Sequence, residues 1–173
     1  MELSTTITTL YNSRKFESEK DYDLYDQAIE MLYENPEFII TNIDELFKCL
    51  DDSTEDIEYM QNLLQLLESV NIEDYVVALK KALIEIYTQT PDILATMFSR
   101  VLNTKGDFIE IKNSFKNAEI EEKKVLSTVL TNIKEDDETE LQKINENFHL
   151  EKIYNSDGIK HRISKINELL SIL

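Results

Sequence analysis

The densest reactive groups in this sequence are carboxylates, crowded around one short run. Asp51, Asp52, Glu55, Asp56 and Glu58 fall within eight residues, with Ser53 and Thr54 among them and Tyr59 directly after. The run opens like a calcium loop, with oxygen donors at Asp51, Ser53 and Glu55. The sixth position, however, is Asp56 where such a loop needs Gly, and the twelfth is Asn62 where a bidentate Glu belongs, so the match fails. His149 and His161 are too far apart for a metal-binding pair, and Cys49 is the only cysteine, which leaves no zinc set and no internal disulfide. No Gly-rich phosphate loop, Gly-x-Ser-x-Gly elbow or Cys/His signature occurs. Carboxylate pairs are so abundant that no single pair marks an acid/base couple. Neither an enzyme nor a cofactor or metal site is expected.

What the acids can do is set by where they sit. Between Glu17 and Asp74 there are 18 acidic residues against Lys20 and Lys48, a net −16 out of −17 for the whole chain. Such a concentration repels nucleic acid and anionic membranes and attracts basic surfaces. Lys80-Lys81 and Lys123-Lys124 are short basic doublets, far from the dense stripe that tracks phosphates, so no nucleic-acid partner is expected. Two readings stand side by side: a solvated acidic face, and a docking surface for a cationic protein.

The elements that would carry these groups are helices. The chain of 173 residues has 42% hydrophobic residues but only two Gly and two Pro, so it can bury a core yet has few tight hairpin turns. Helical spacing predicts segments at about 2–16, 19–33 and 37–50, the last opened by Asn35-Pro36. Asp51–Thr54 reads as a turn, with Ser53 or Thr54 capping a helix that runs to Ser69. Further helices are expected over 72–87, from Thr90-Pro91-Asp92 to 102, over 106–115 and 119–134, then 140–154 and 159–173. Asp136-Asp137-Glu138 and Asn155–Gly158 are read as breaks. No apolar stretch approaches the roughly 18 residues of a membrane span. The opening residues lack the pattern of a secretory signal, and the lone cysteine suits a reducing compartment, so a cytoplasmic location is expected. Cys49 itself reads as a small buried hydrophobe.

Alternate helices repeat. Met60, Leu63, Leu64 and Leu67 recur 34 residues on as Leu94, Met97, Phe98 and Val101, and 32 further on as Leu126, Val129, Leu130 and Ile133. The i, i+3, i+4, i+7 spacing is kept each time. A unit of helix, acidic turn and helix repeated every 30-odd residues predicts an all-α, α-solenoid-like (HEAT-like) stack of antiparallel helix pairs over residues 1–173 as a single domain. An ordinary helical bundle is the alternative, because any amphipathic helix shows this spacing. In a solenoid the polar positions Glu58, Tyr59, Asn62, Gln65, Arg100 and Thr128 would look onto one groove.

The run Leu46–Met60, continuing through Leu63-Leu64 to Leu67-Glu68, resembles the immunity protein 30 family. So do Tyr75–Leu83, Phe98–Asn103 and Leu130–Asp136. The resemblance spans about 20–137 and leaves 139–173 as a C-terminal helical extension. It implies a protein of bacterial polymorphic toxin systems that binds and neutralises a cognate toxin. On that reading the partner is a basic toxin domain, such as a nuclease, whose cationic cleft an acidic protein can occupy. The alternative is a helical-repeat adaptor that docks another basic partner without inhibiting it. The expected contact surface is Asp51, Asp52, Glu55, Asp56, Glu58 and Tyr59, with Tyr22, Asp23, Asp26, Asn62 and Gln65 as neighbours. Phe47, Phe98 and Phe115 fall on core stripes, whereas Tyr22, Tyr25 and Tyr59 suit either inter-helix packing or an interface.

Overall fold

The computed structural model describes residues 2–54, 56–146 and 156–173, and among these every regular element is a helix. A 3-10 turn at Leu3–Thr5 leads into α1 (Thr6–Ser13), α2 (Glu19–Glu34), α3 (Pro36–Phe47), α4 (Ile57–Glu68) and α5 (Ile72–Gln89). Then follow α6 (Pro91–Asn103), α7 (Lys105–Lys116), α8 (Ile120–Glu146) and α9 (Ser156–Leu170). The fold class is all-α, as the sequence predicts. The chain divides into two compact units, Met1–Ile93 and Leu94–Leu173.

In the first unit the helix starts follow local chemistry. The Ser18 amide and hydroxyl both donate to the Asp21 carboxylate at 2.9 Å, opening α2, and Glu19 and Asp21 sit at its positive end. Pro36 fills the first turn of α3, where a missing N–H costs nothing. The cap of α4 is Asp56, whose Oδ1 accepts from the Glu58 and Tyr59 amides at 3.2 and 3.3 Å. The expected cap at Ser53 or Thr54 is corrected by this finding. Ser53 is instead drawn to Asp51, and the Thr54 hydroxyl accepts from the Asp56 amide, so both residues shape the turn ahead of the cap.

Helices two apart in sequence lie side by side in this unit. Lys81 on α5 pairs with Asp44 on α3, and Glu85 pairs with Lys48, one turn further along each helix. Both pairs are 37 residues apart, so α3 and α5 run in the same direction. Tyr22 on α2 meets Tyr59 on α4 at the same separation. Beneath these contacts Tyr25, Ala28, Leu32, Leu46, Phe47, Leu63, Leu64, Leu79 and Leu83 are buried. Cys49 is fully buried, as expected of it, and burial pushes its thiol up to about 12, which leaves it unreactive.

In the second unit Phe98 and Phe115 meet edge to face at 6.2 Å, and α9 packs on α8. Two sequence-derived breaks are corrected. α8 runs unbroken from Ile120 to Glu146 through Asp136-Asp137-Glu138. Acidic residues only weakly disfavour a helix interior. Asp137 also turns inward, 4% exposed, and accepts from Arg162 Nε on α9 at 2.8 Å. The second correction is the start of α9, which is Ser156 rather than Ile159. The expected extension of the preceding helix to 154 lies outside the described residues, as does His149. His161 is exposed.

All three repeated rows, beginning at Met60, Leu94 and Leu126, are buried. Leu64 and Phe98 are both fully buried, so replacing either by Ala is expected to cost about 2–5 kcal/mol through lost contacts and a residual cavity. Urea unfolding followed by circular dichroism checks this. A cost within experimental error at both positions would contradict the packing described.

Candidate protein-docking surface

The acidic turn is built from inside. Asp51 is 8% exposed. Its Oδ2 accepts from Arg14 Nε at 2.9 Å, and its Oδ1 accepts from the Ser53 amide and hydroxyl at 2.8 and 2.6 Å. Burial would raise this carboxyl, but the Ser53 hydrogen bonds and the charges of Arg14 and Lys15 outweigh it and hold the group below its ordinary value. Arg14 also lies over the Tyr11 ring, 3.7 Å from its centroid.

Asp52 points the other way. Its two carboxylate oxygens accept from the backbone amides of Asp92 and Ile93 at 2.7 and 2.9 Å, the first turn of α6. Burial foremost, together with the charges of Asp92 and Asp51, pushes the Asp52 carboxyl up against the pull of those two amides. With Asp56 capping α4, three of the five acids expected to meet a partner have internal partners. Glu58 is exposed, and Glu55 lies outside the described residues.

A second set of residues gathers around rings. Phe16 closes α1 with a backbone φ of 57°, a left-handed conformation that bulky residues rarely adopt. It is 2% exposed, with its ring 4.9 Å from Tyr22, 4.8 Å from Tyr25 and 5.3 Å from Tyr59. Tyr22 and Tyr59 themselves meet edge to face at 4.8 Å. Tyr25 is fully buried, its hydroxyl donating to Met60 Sδ at 3.7 Å, and burial pushes its hydroxyl far above the ordinary tyrosine value. Tyr22 and Tyr59 are half-buried.

The Tyr22–Tyr59 contact brings two polar stripes together. Asp23 and Asp26 on α2 are exposed, and Asp26 lies one helical turn beyond Tyr22 on the same face. Glu58, Asn62 and Gln65 on α4 are exposed at i, i+4 and i+7, with Asn62 three residues beyond Tyr59. So the candidate residues separate into an inner group and an outer one. Asp51, Asp52 and Asp56 hold the backbone, and Asp23, Asp26, Glu58, Asn62 and Gln65 face solvent along the seam between α2 and α4. Sequence reasoning missed Arg14 and Phe16. The Arg14-Lys15 pair just ahead of an acidic third was the available signal for Arg14, but no local pattern marks a left-handed Phe. Arg100 is half-buried and Thr128 exposed, both in the second unit.

The charge follows the unit boundary. Residues 1–93 carry 21 acidic and six basic side chains, and residues 94–173 carry 14 and 12. Two open hollows of about 540 and 370 Å³ lie in the first unit, one beside Asn35 and Pro36 and the other between α1, α3 and α5. Among the described residues no group of His, Cys, Asp and Glu could hold a metal ion, and no helix is long and apolar enough to cross a membrane.

The described residues thus combine an all-helical fold with a strongly acidic first unit whose outer carboxylates lie beside half-buried tyrosines. The family model for Immunity protein 30 matches residues 12–111, more than half of the chain. The chain belongs to the immunity protein 30 family. The match takes in α2 to α6 whole, with both the acidic turn and the ring cluster. No curated protein and no solved structure matches the chain.

The inner aspartates are expected to behave as stability residues. Asp51→Asn should cost about 1–3 kcal/mol, because it leaves Arg14 and Ser53 short of a charged acceptor, and Asp52→Ala about 0.5–2 kcal/mol through the lost cap. Asp23→Asn should stay within about 0.5 kcal/mol of wild type. The folded-state carboxyl of Asp51 is lowered, so its contribution is fully present above the unfolded value of about 4 and disappears as pH falls through the folded one. Urea midpoints of wild type and Asp51→Asn should therefore converge only in acid below about pH 4. Equal midpoints at neutral pH would refute the role assigned to Asp51.

Proposed function

We propose that this chain is the immunity partner of a bacterial polymorphic toxin, binding and neutralising its cognate toxin in the cytoplasm of the producing cell. The observation that carries this reading is family membership over residues 12–111, coupled to a first unit with a net charge of −15. A toxin domain that handles a polyanion, such as a nuclease, presents a cationic cleft. An acidic protein docks there by charge complementarity, which speeds encounter more than it strengthens the final contact.

The docking surface in this proposal is the α2–α4 seam. Asp23, Asp26, Glu58, Asn62 and Gln65 meet the toxin directly, while Tyr22 and Tyr59 offer apolar area behind them. Asp51, Asp52 and Asp56 hold the turn, and together with Glu55 they contribute field. The two units belong, in the same proposal, to one solenoid-like helical-repeat domain, with residues 139–173 as its C-terminal extension. The parallel pairing of α2 with α4 and α3 with α5 supports that architecture in the first unit. No step of this function asks for a catalytic group.

The test uses the triple variant Asp23→Lys, Asp26→Lys, Glu58→Lys, whose side chains are exposed and whose fold should be unchanged by circular dichroism. Co-purification with the product of the adjacent toxin gene, and survival of cells expressing that toxin, are the readouts. Wild type is expected to capture and protect. The variant is expected to associate at least about tenfold more slowly and to protect poorly, because its charges oppose those that steer encounter. Added salt should slow wild-type capture, since screening shortens the reach of the field to about 8 Å at physiological ionic strength. Equal protection by a folded variant would reduce the seam to a solvated surface.

A further inference from the structure

The outer face of α3 and α5 differs from the rest of the first unit. Six large apolar side chains of that unit are exposed, and three of them, Ile40, Val77 and Ile84, lie on these two helices at 45%, 64% and 45% exposure. Three of its six cations are there as well: half-buried Lys80 and exposed Lys81 on α5, and Lys48 directly after α3. Lys81 bridges to Asp44, and Lys48 bridges to Glu85 at 3.3 Å and to Glu45 at 2.9 Å. The Lys81 side chain is 71% exposed and that of Glu85 49%, against 19% for Asp44 and 29% for Lys48, so each bridge has one solvent-facing end and adds at most about 1 kcal/mol to the fold. Their arrangement is more informative than their strength.

Because α3 and α5 are parallel, the bridges form successive rungs, each with one charge on either helix. Asp44 faces Lys81 on the first rung, and Lys48 faces Glu85 on the second, with the signs exchanged. Val77, Lys81 and Ile84 share one stripe of α5 at i, i+4 and i+7. Ile40 lies one turn before Asp44 on α3. The exposed positions Glu37, Ile40, Thr41 and Glu45 keep helical spacing across the bend at Asn42.

The two rungs of this face are complementary to themselves, while in the same register the exposed Glu37 falls opposite the exposed Asp74. A two-fold axis parallel to the helices, set between two copies, lays α3 of one over α5 of the other. Asp44 then meets Lys81 of the second copy, Lys48 meets Glu85, and Ile40 meets Val77, each contact occurring twice, as an isologous interface requires. We propose that the α3–α5 face takes a second copy of this chain, giving a homodimer that leaves the α2–α4 seam uncovered. Two helices about 10 Å wide, the shorter about 18 Å long, give roughly 350–450 Å² per copy, below the roughly 800 Å² of a standard interface, so the dimer is weak and concentration-dependent.

Sedimentation equilibrium of the full chain from roughly 1 to 100 μM tests this, in the range where a weak dimer populates. Wild type is expected to shift toward dimer with concentration. Lys81→Glu makes an all-acidic rung and Asp44→Lys an all-basic one, and each alone should raise the dissociation constant at least about tenfold by placing like charges in contact. Mixed one to one, the two variants restore opposite charges on every rung and should dimerise again. Circular dichroism melts of both variants establish that each is folded. Wild type that stays monomeric throughout, variants that dimerise as well as wild type, or a mixture that fails to recover would each overturn the proposal. None of these readouts involves a toxin, so they stand apart from the immunity reading.

Discussion

The first unit depends on two adjacent aspartates that pull in opposite directions. Asp51 reaches back to Arg14 at the end of α1, and Asp52 reaches forward to the amides that open α6. Through one turn, positions 14, 51–53 and 92–93 are fixed relative to one another. A flexible chain of that length would otherwise have to close two long loops by burial alone. The turn must also stay charged to do this: a carboxylate has about four acceptor sites, whereas an apolar residue would leave the Arg14 guanidinium and the α6 amides unanswered. The most acidic run of the sequence thus begins with two aspartates that tie separate parts of the unit together.

This constraint explains how so many acids share one unit without tearing it apart. Carboxylates at Asp21, Asp52 and Asp56 sit against helix N-termini, where exposed amides and the helix dipole favour negative charge. Asp51 and Asp44 take a cation each. What remains exposed on α2 and α4, namely Glu19, Asp23, Asp26, Glu30, Glu34 and Glu58, is spread along helix outer faces, at turn spacing on α2. Self-repulsion is absorbed by the same groups that define the helix starts, and the uncompensated remainder forms the field a basic partner would meet.

Much of the fold was legible. Helical periodicity placed the first seven helices within a few residues, because apolar stripes such as Ile39, Ile43, Leu46 and Phe47 report burial directly. The failures have physical causes. Asp136-Asp137-Glu138 looked like a break because a local reading cannot see Arg162, which lies 25 residues from Asp137 and turns it into an interior residue. The repeat rests on three rows of large apolar residues. Tyr25, Ala28, Ile29 and Leu32 form a further buried row with the same i, i+3, i+4, i+7 spacing, 35 residues before Met60. A tyrosine and an alanine disguised it. The candidate site was legible as a region but not as individual roles. Charge and spacing alone do not distinguish Asp51, which is enclosed, from Asp26, which is exposed, since that difference is made by residues 37 positions away.

The ring cluster shows why the inner and outer residues belong to one device. Phe16 adopts a left-handed backbone that costs a bulky residue of the order of 1–2 kcal/mol, and it is retained because its ring is enclosed by Tyr22, Tyr25 and Tyr59. Two residues earlier, Arg14 is held by Asp51. The end of α1 is thus pinned by charge on one side and by aromatic packing on the other. Those rings set the distance between α2 and α4, and with it the spacing of Asp23 and Asp26 relative to Glu58 and Asn62. Steering by charge tolerates loose positions, but a contact that must exclude its competitors needs its groups at fixed separations. In the proposed docking, a strained Phe locked beneath the seam would supply that rigidity where the outer carboxylates, on their own, would supply only attraction.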